Sequence, residues 1–253
     1  MADSLDTKRL YNDLAWLWPL WGDHETEYAH YAAHIARLIA THAASPAISL
    51  LSLACGGGKN LFTLKKHFSV TGLDLSPVML RQAAALNPEC AFVQADMRTF
   101  SLNTLFDAIF LEDGVSHLIC RADLAATFAR AYRHLRPGGV LVVTPDVTTE
   151  SFRQNQTACA EAVARLKPPG VDVSFVENLY DPDPADEHYE ATILYLIRES
   201  GRLRIETDRW TLGLFPLAVW KQLLSDAGFV VHEHAYAQDA VQYLSLACVK
   251  SDA

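Results

Sequence analysis

The chain has 253 residues, half of them hydrophobic, and its 21 Lys and Arg against 30 Asp and Glu give a net charge of −9. That length supports one full α/β core plus a modest accessory unit. The acidic balance argues against a nucleic-acid substrate, which needs a basic face, and no apolar run reaches the roughly 18 residues of a membrane span.

The start, MADSLDTKRL, is too charged for a signal peptide, and the five cysteines at 55, 90, 120, 159 and 248 show no CxxC spacing. The expectation is a cytoplasmic protein with reduced, mostly buried thiols. The first 46 residues read as helical. Leu14, Leu17, Trp18 and Trp21 recur at helix-like spacing, Pro19 breaks the run, and a second helix is predicted over 25–42.

A strand at 48–53 then runs into LLSLACGGG, where three glycines, Gly56, Gly57 and Gly58, end it before a helix to about His67. The next apolar run, 69–74 in VTGLDLSP, ends on Asp74, sixteen residues after Gly58 (74 − 58). Ser76 and Pro77 supply an N-cap and a first-turn proline for a helix through Leu86. A third strand, 90–95, leads to Asp96. A fourth, 106–112 (FDAIFLE), leads to the loop Asp113–His117. A helix over 121–135 and the turn Arg136-Pro137-Gly138-Gly139 precede strand VLVVTP. This alternation predicts an α/β fold, a doubly wound Rossmann-like sheet with ligands at the carboxyl ends of its strands.

The pattern changes after Pro145. A helix is predicted near 149–166, then strands at 173–180, 189–199 and 202–213, the last two joined by a tight Ser200-Gly201 turn. Helix 216–227 and strands 229–235 and 241–249 return to the main sheet and complete seven strands. The division is therefore an N-terminal helical lid (1–46), a core (47–147 and 214–253), and an insert of helix plus small antiparallel sheet (148–213). The insert is too small to fold alone and is expected to roof the pocket or pair subunits.

Strand, glycine loop, helix, strand and acid describe a pocket for an adenosine-containing cofactor. A dinucleotide needs a small residue five positions after the first glycine, and that position holds Leu61. No Gly-Lys-Ser/Thr follows for a P-loop, and no Tyr-x-x-x-Lys pair supports a nicotinamide oxidoreductase. A ligand with ribose and no phosphates fits better, and S-adenosylmethionine is the candidate. Asp74 would accept from both ribose hydroxyls, each such bond contributing roughly 1.5–3 kcal/mol, unless it merely caps the following helix.

LLSLACGGG, VTGLDLSPVML, FVQADMRTF, FDAIFLEDGVSHL and LRPGGVLVV together resemble the motif series of class I S-adenosylmethionine-dependent methyltransferases over about residues 47–145. RLYNDLAWL and DRWTLGLFP extend the resemblance to small-molecule and amino-sugar N-methyltransferases, which carry an N-terminal lid and an inserted antiparallel sheet. The resemblance implies that Ala54, Cys55, Gly56 and Gly58 line the methionine end of the cofactor. Asp74 would hold the ribose, with Leu75 and Met79 near the adenine, Asp96 on its amino group and Met97 on its ring face. Leu111 and Glu112 would border the methyl, Tyr11 would reach over the cofactor, and His117 would face the acceptor. Some members pair through the inserted sheet, so a homodimer is expected there. One departure is Ser52, where the family carries an acid that organises the cofactor's ammonium; Glu112 or Asp113 would have to replace it.

Several residues carry two readings. Trp16, Trp18 and Trp21 are a substrate-facing lid or plain packing, and Tyr180, Tyr195 and Trp210 sit on inserted strands whose inward face alternation alone does not decide. The acidic stretch 181–187 reads as a solvated turn. The expected reaction is in-line methyl transfer, without metal, to an amine or hydroxyl of a small soluble acceptor, leaving S-adenosylhomocysteine. An amine need only be neutral, with His117 orienting it or taking a proton; a hydroxyl needs a base, His117 backed by Glu112 or Asp113. O- or carboxyl-methylation of a small metabolite, or a catalytically silent cofactor-binding protein, are the alternatives.

Overall fold

The computed structural model describes residues 8–238 and 241–251. The first seven residues of the expected lid and the last two of the expected core lie outside them. The lid opens with 3-10 turns at Arg9–Tyr11 and Ala15–Leu20, shorter than the predicted helix because Pro19 sits within the second. Helix α1 (Glu27–His42) then buries Ala32, Ile35, Ala36 and Ile39, a stripe at helical spacing, against the sheet.

The core alternates as the sequence predicts. β1 (Ser49–Leu53) leads through the glycine turn to a short α2 (Leu61–Leu64), and β2 (Ser69–Asp74) leads to α3 (Pro77–Leu86). β3 (Ala91–Gln94) and β4 (Phe106–Leu111) follow, then α4 (Arg121–His134) and β5 (Leu135–Val143). At the start of α3 the Ser76 hydroxyl accepts from the Met79 amide at 3.2 Å, the cap expected of a Ser-Pro pair.

The segment predicted as a helix over 149–166 is instead β6 (Gln156–Glu161) followed by a 3-10 turn at Ala164–Leu166. Its neighbours are β7 (Val171–Tyr180), β8 (His188–Glu199) and β9 (Arg202–Gly213). Backbone pairing with β7 outweighs the helical preference of its alanines and glutamates, since β6 runs antiparallel to that neighbour along six residue pairs. β8 and β9 form the predicted hairpin, with Ser200 (φ 50°) and Gly201 (φ 83°) supplying the left-handed pair its two-residue turn requires. The chain closes with α5 (Leu217–Asp226), β10 (Phe229–Gln238) and β11 (Val241–Lys250).

Among the described residues, the main sheet has seven strands in the order β10-β11-β5-β4-β1-β2-β3, and the second has four antiparallel strands, β6-β7-β8-β9. In the main sheet β3 through β5 run parallel, β11 is antiparallel to β5, and β10 to β11. One core beneath this sheet gathers Phe128, Leu141, Phe215, Trp220 and Leu246. A separate core joins Leu10, Leu14, Leu17 and Leu20 of the lid to Phe175, Tyr189, Ile193, Tyr195 and Trp210 of the second sheet. Lid and inserted sheet are therefore one packed roof. At roughly 1.5–3 kcal/mol for each fully buried large apolar side chain, that shared core ties the two segments together. Polar clasps fix the roof to the base: Ser76 Oγ donates to the Tyr11 carbonyl at 2.8 Å and Gln82 Nε2 to the Ala15 carbonyl at 2.7 Å. None of the described helices is long and apolar enough to cross a membrane. All five cysteines are unpaired, and Cys120 and Cys159 are exposed, correcting the expectation of mostly buried thiols.

Candidate functional site

The carboxyl ends of the central strands and the roof enclose a cavity of about 420 Å³. At its floor the chain leaves β1 through Ala54 (φ 50°) and Gly56 (φ 52°), both left-handed, which turn the backbone toward the cavity. The Trp18 indole covers this turn: a Cβ on Gly57 would collide with its Nε1, and one on Gly56 would come within 3.1 Å of the ring. Ala54, Cys55 and Gly56 line the cavity. Gly58 does not. Its carbonyl accepts from Asn87 Nδ2 at 2.9 Å, and a Cβ there would strike that amide, so this glycine serves packing on α3.

Asp74, at the end of β2, accepts from the Gly56 amide and from the Ser76 amide, each at 2.8 Å. It thus ties the glycine turn to the start of α3 and still lines the cavity, while the cap of α3 itself is Ser76. Burial raises its carboxyl pKa against those bonds. Leu75, 44% exposed, and Met97 supply apolar wall beside it. Asp96 lines the cavity but is clasped by its own neighbour: Arg98 Nη2 lies 2.6 Å from Oδ2, and Nη1 reaches Asp123 at 3.0 Å. The Arg98 guanidinium lowers the Asp96 pKa. Met79 and Leu111, expected beside the adenine and the methyl, are fully buried in the core and do not line the cavity.

Beyond β4 the wall turns acidic. Glu112 accepts from Asn60 Nδ2, and burial, reinforced by Asp146, pushes its carboxyl up to about 8. Asp113 is raised by burial and then by the charges of Glu112 and Asp146. Asp146, just past β5, is raised by burial, and Glu177, on β7 in the roof, is pushed up to about 7 by burial and Asp146. Four carboxylates from two sheets therefore converge on one end. Ser52, by contrast, is buried in β1 between Phe110 and Gly72 and does not reach the cavity. Lys59 is 4% exposed; its ammonium donates to the Trp21 carbonyl and lies 4.8 Å from the Trp18 ring and 5.0 Å from the Tyr28 ring. Burial lowers its pKa to about 7 despite Glu27 and Glu112.

His117 sits between lid and loop. Its Nδ1 is 2.6 Å from Lys8 Nζ and its Nε2 3.1 Å from the Tyr11 hydroxyl. Burial, then the Lys8 charge, hold its pKa well below 6.5. Tyr11 stacks on Trp210 with centroids 5.3 Å apart, and both line the cavity. Trp18 and Trp21 also line it, whereas Trp16, Tyr180 and Tyr195 do not.

Sequence reasoning missed Lys8, Lys59, Asn60, Asp146 and Glu177 as cavity residues. Lys59 and Asn60 directly follow the glycines, and Asp146 follows a parallel strand at its carboxyl end, so a wider window around each strand end would have found them. Glu177 lay inside a strand of unknown facing and carried no such signal.

A family model described as a methyltransferase domain matches residues 50–139. A dTDP-4-amino-2,3,4,6-tetradeoxy-D-glucose N,N-dimethyltransferase from Saccharopolyspora spinosa is 34% identical over 204 residues, 80% of this chain and 79% of that protein. A dTDP-3-amino-3,6-dideoxy-alpha-D-glucopyranose N,N-dimethyltransferase from Streptomyces fradiae is 37% identical over 140 residues, 54% of each. The match thus spans about half the length of the latter. The X-ray structure of a sugar N-methyltransferase from Streptoalloteichus sp. superposes with a TM-score of 0.81 at 25% identity, covering 99% of this chain and 96% of that one.

Proposed function

Because the chain belongs to the class I S-adenosylmethionine-dependent methyltransferases of the amino-sugar type, we propose that it methylates an amine of a small acceptor. The observation that carries this reading is the continuity of the cavity, from Asp74, Leu75 and Met97 at one end to Glu112, Asp113 and His117 at the other.

The cavity wall fits the cofactor's chemistry. Each Asp74 oxygen accepts one backbone amide and keeps a lone pair for a ribose hydroxyl, while Leu75 and Met97 offer apolar surface to a purine. Asp96 is placed for an exocyclic amine, and Asn60 Oδ1, buried and without a partner, is an acceptor beside Glu112 suited to an ammonium. Glu112 and Asp113 take the part that Ser52 leaves unfilled. When bound, S-adenosylmethionine supplies an electrophilic methyl, whose bond to sulfur breaks as the bond to the acceptor nitrogen forms, leaving S-adenosylhomocysteine.

This chain's residues then position and desolvate. The roof excludes water, and holding the nucleophile in line contributes up to roughly 7–11 kcal/mol. Tyr11, oriented by His117, is the hydroxyl presented to the reacting groups. A hydroxyl acceptor would need a stronger base than a His117 whose ring nitrogens are both engaged, which favours the amine. The unpaired cysteines favour action in the cytoplasm. Pairing through the inserted sheet is supported by exposed Leu203 and Ile205 on β9, 45% and 54% accessible.

Transfer of label from methyl-labelled S-adenosylmethionine to a panel of small amines tests the reading. Label in product supports it. Cofactor binding with no transfer to any amine would favour the silent binding protein instead.

A further inference from the structure

We infer that Lys59 is the specificity residue for the amino-acid end of the cofactor, its ammonium pairing with the methionine carboxylate from the same place in which it holds the lid. The inference rests on the methyl-transfer reading above and assigns one more residue of that same site.

A methionine head group carries an ammonium and a carboxylate side by side, so the wall that takes it must offer acceptors and a cation together. The acceptors stand at Asn60 Oδ1, buried without a hydrogen-bond partner, and at Glu112, which accepts from Asn60 Nδ2. The cation has to come from a cavity wall with eight Asp or Glu side chains against three Lys or Arg. Lys8 is engaged by His117, and Arg98 is clasped between Asp96 and Asp123. The third is Lys59, the chain neighbour of Asn60.

Lys59 is only 4% exposed. Its ammonium donates to the Trp21 carbonyl and rests 4.8 Å from the Trp18 ring and 5.0 Å from the Tyr28 ring. Glu27, Glu112 and Asp23 act on it through their charge, and among the described residues none of them is its hydrogen-bond partner. An ammonium has three donors, so two remain for a ligand. Burying such a charge without a paired anion is unfavourable, and burial accordingly draws the Lys59 pKa down to about 7. A neutral donor would hold a backbone carbonyl as well; what the ammonium adds is charge, placed on the cavity wall between the glycine turn and the lid. A carboxylate entering from the cavity supplies the missing anion.

The test is calorimetry on the full chain with S-adenosylmethionine, with its decarboxylated form, which keeps the sulfonium and the amine, and with 5′-methylthioadenosine, which lacks the whole amino-acid chain. Wild type should bind S-adenosylmethionine at least tenfold tighter than the decarboxylated form. Lys59→Met should lose tenfold or more for S-adenosylmethionine and less than threefold for the decarboxylated form. Its unchanged affinity for 5′-methylthioadenosine reports an intact fold. Lys59→Gln keeps a donor for the Trp21 carbonyl but no charge, and should show the same collapse of discrimination. If wild type binds S-adenosylmethionine and the two forms lose affinity equally in both variants, Lys59 only seats the lid; the inference is then overturned while the methyl-transfer reading stands. Failure of all three ligands to bind wild type overturns that reading and the inference together.

Discussion

Lys8 and His117 form a part-buried pair in which the lysine Nζ lies 2.6 Å from imidazole Nδ1. An ammonium can only donate, so Nδ1 is the acceptor and the ring proton sits on Nε2. Nε2 then donates to the Tyr11 hydroxyl 3.1 Å away, leaving that hydroxyl's own proton to point elsewhere. His117 thus bridges lysine and tyrosine through its two ring nitrogens.

If the two residues act as one unit, their losses do not multiply. Tyr11→Phe and His117→Gln should each lower kcat/KM by about tenfold to a hundredfold, and the double variant by no more than the worse single one. Multiplicative losses would show that His117 touches the acceptor independently. The kcat/KM profile should likewise lack an inflection from His117 near pH 6–7, since its folded pKa lies below that range.

The acidic end makes stability depend on pH with a definite sign. Glu112 ionises near 4.5 in the unfolded chain and about 8 in the folded one, so the folded state binds the extra proton between those values. The stability this contributes is present below about pH 4.5 and lost as pH rises toward 8. Glu112→Gln should therefore raise the Tm at pH 8 relative to wild type, by about 2–4 °C per kcal/mol of relieved charge, with little gain at pH 4.5. Thermal melts at the two pH values decide it, and an equal shift at both would refute the charge argument.

Asp74 joins two loops as well as facing the cavity. Asp74→Ala leaves the Gly56 and Ser76 amides without their acceptor, a cost of about 1–3 kcal/mol for each group if buried. The variant should fold at 25 °C with a lowered Tm and no measurable affinity for S-adenosylhomocysteine. Asp74→Asn keeps one acceptor oxygen and should recover most of the Tm but little of the affinity.

The lid and the glycine turn meet at Trp18. Gly57→Ala places a methyl where the Trp18 indole Nε1 lies, so the indole must move. Its fluorescence should shift toward that of a solvated tryptophan, and cofactor affinity should fall about tenfold or more. Adding Trp18→Ala should restore the glycine-turn geometry and part of the affinity. An unchanged spectrum in Gly57→Ala would mean that the lid is not seated on the turn.

What the sequence revealed follows from which signals are local. The glycine turn, the acid ending β2, the Ser76-Pro77 cap and the Ser200-Gly201 hairpin each depend on a few adjacent residues, and each stands where the sequence put it. β6 was misread because QTACAE carries helix formers, and the pairing with β7 that overrides them is set twelve or more residues away. The acidic end was legible only in part. Glu112 and Asp113 close a strand motif, but Asp146 and Glu177 join them through the meeting of two sheets, which no spacing in the chain records. Met79 and Leu111 show the converse limit: a motif places a residue near a pocket, and only packing decides whether its side chain turns inward.

The central claim is that the cavity between Asp74 and Glu112 is a methyl-donor site. Calorimetric titration of S-adenosylhomocysteine into wild type and Asp74→Ala tests it most directly. One saturable site per chain in the wild type, absent in the variant, is the result predicted here. No binding to the wild type, or equal binding to both proteins, would contradict it.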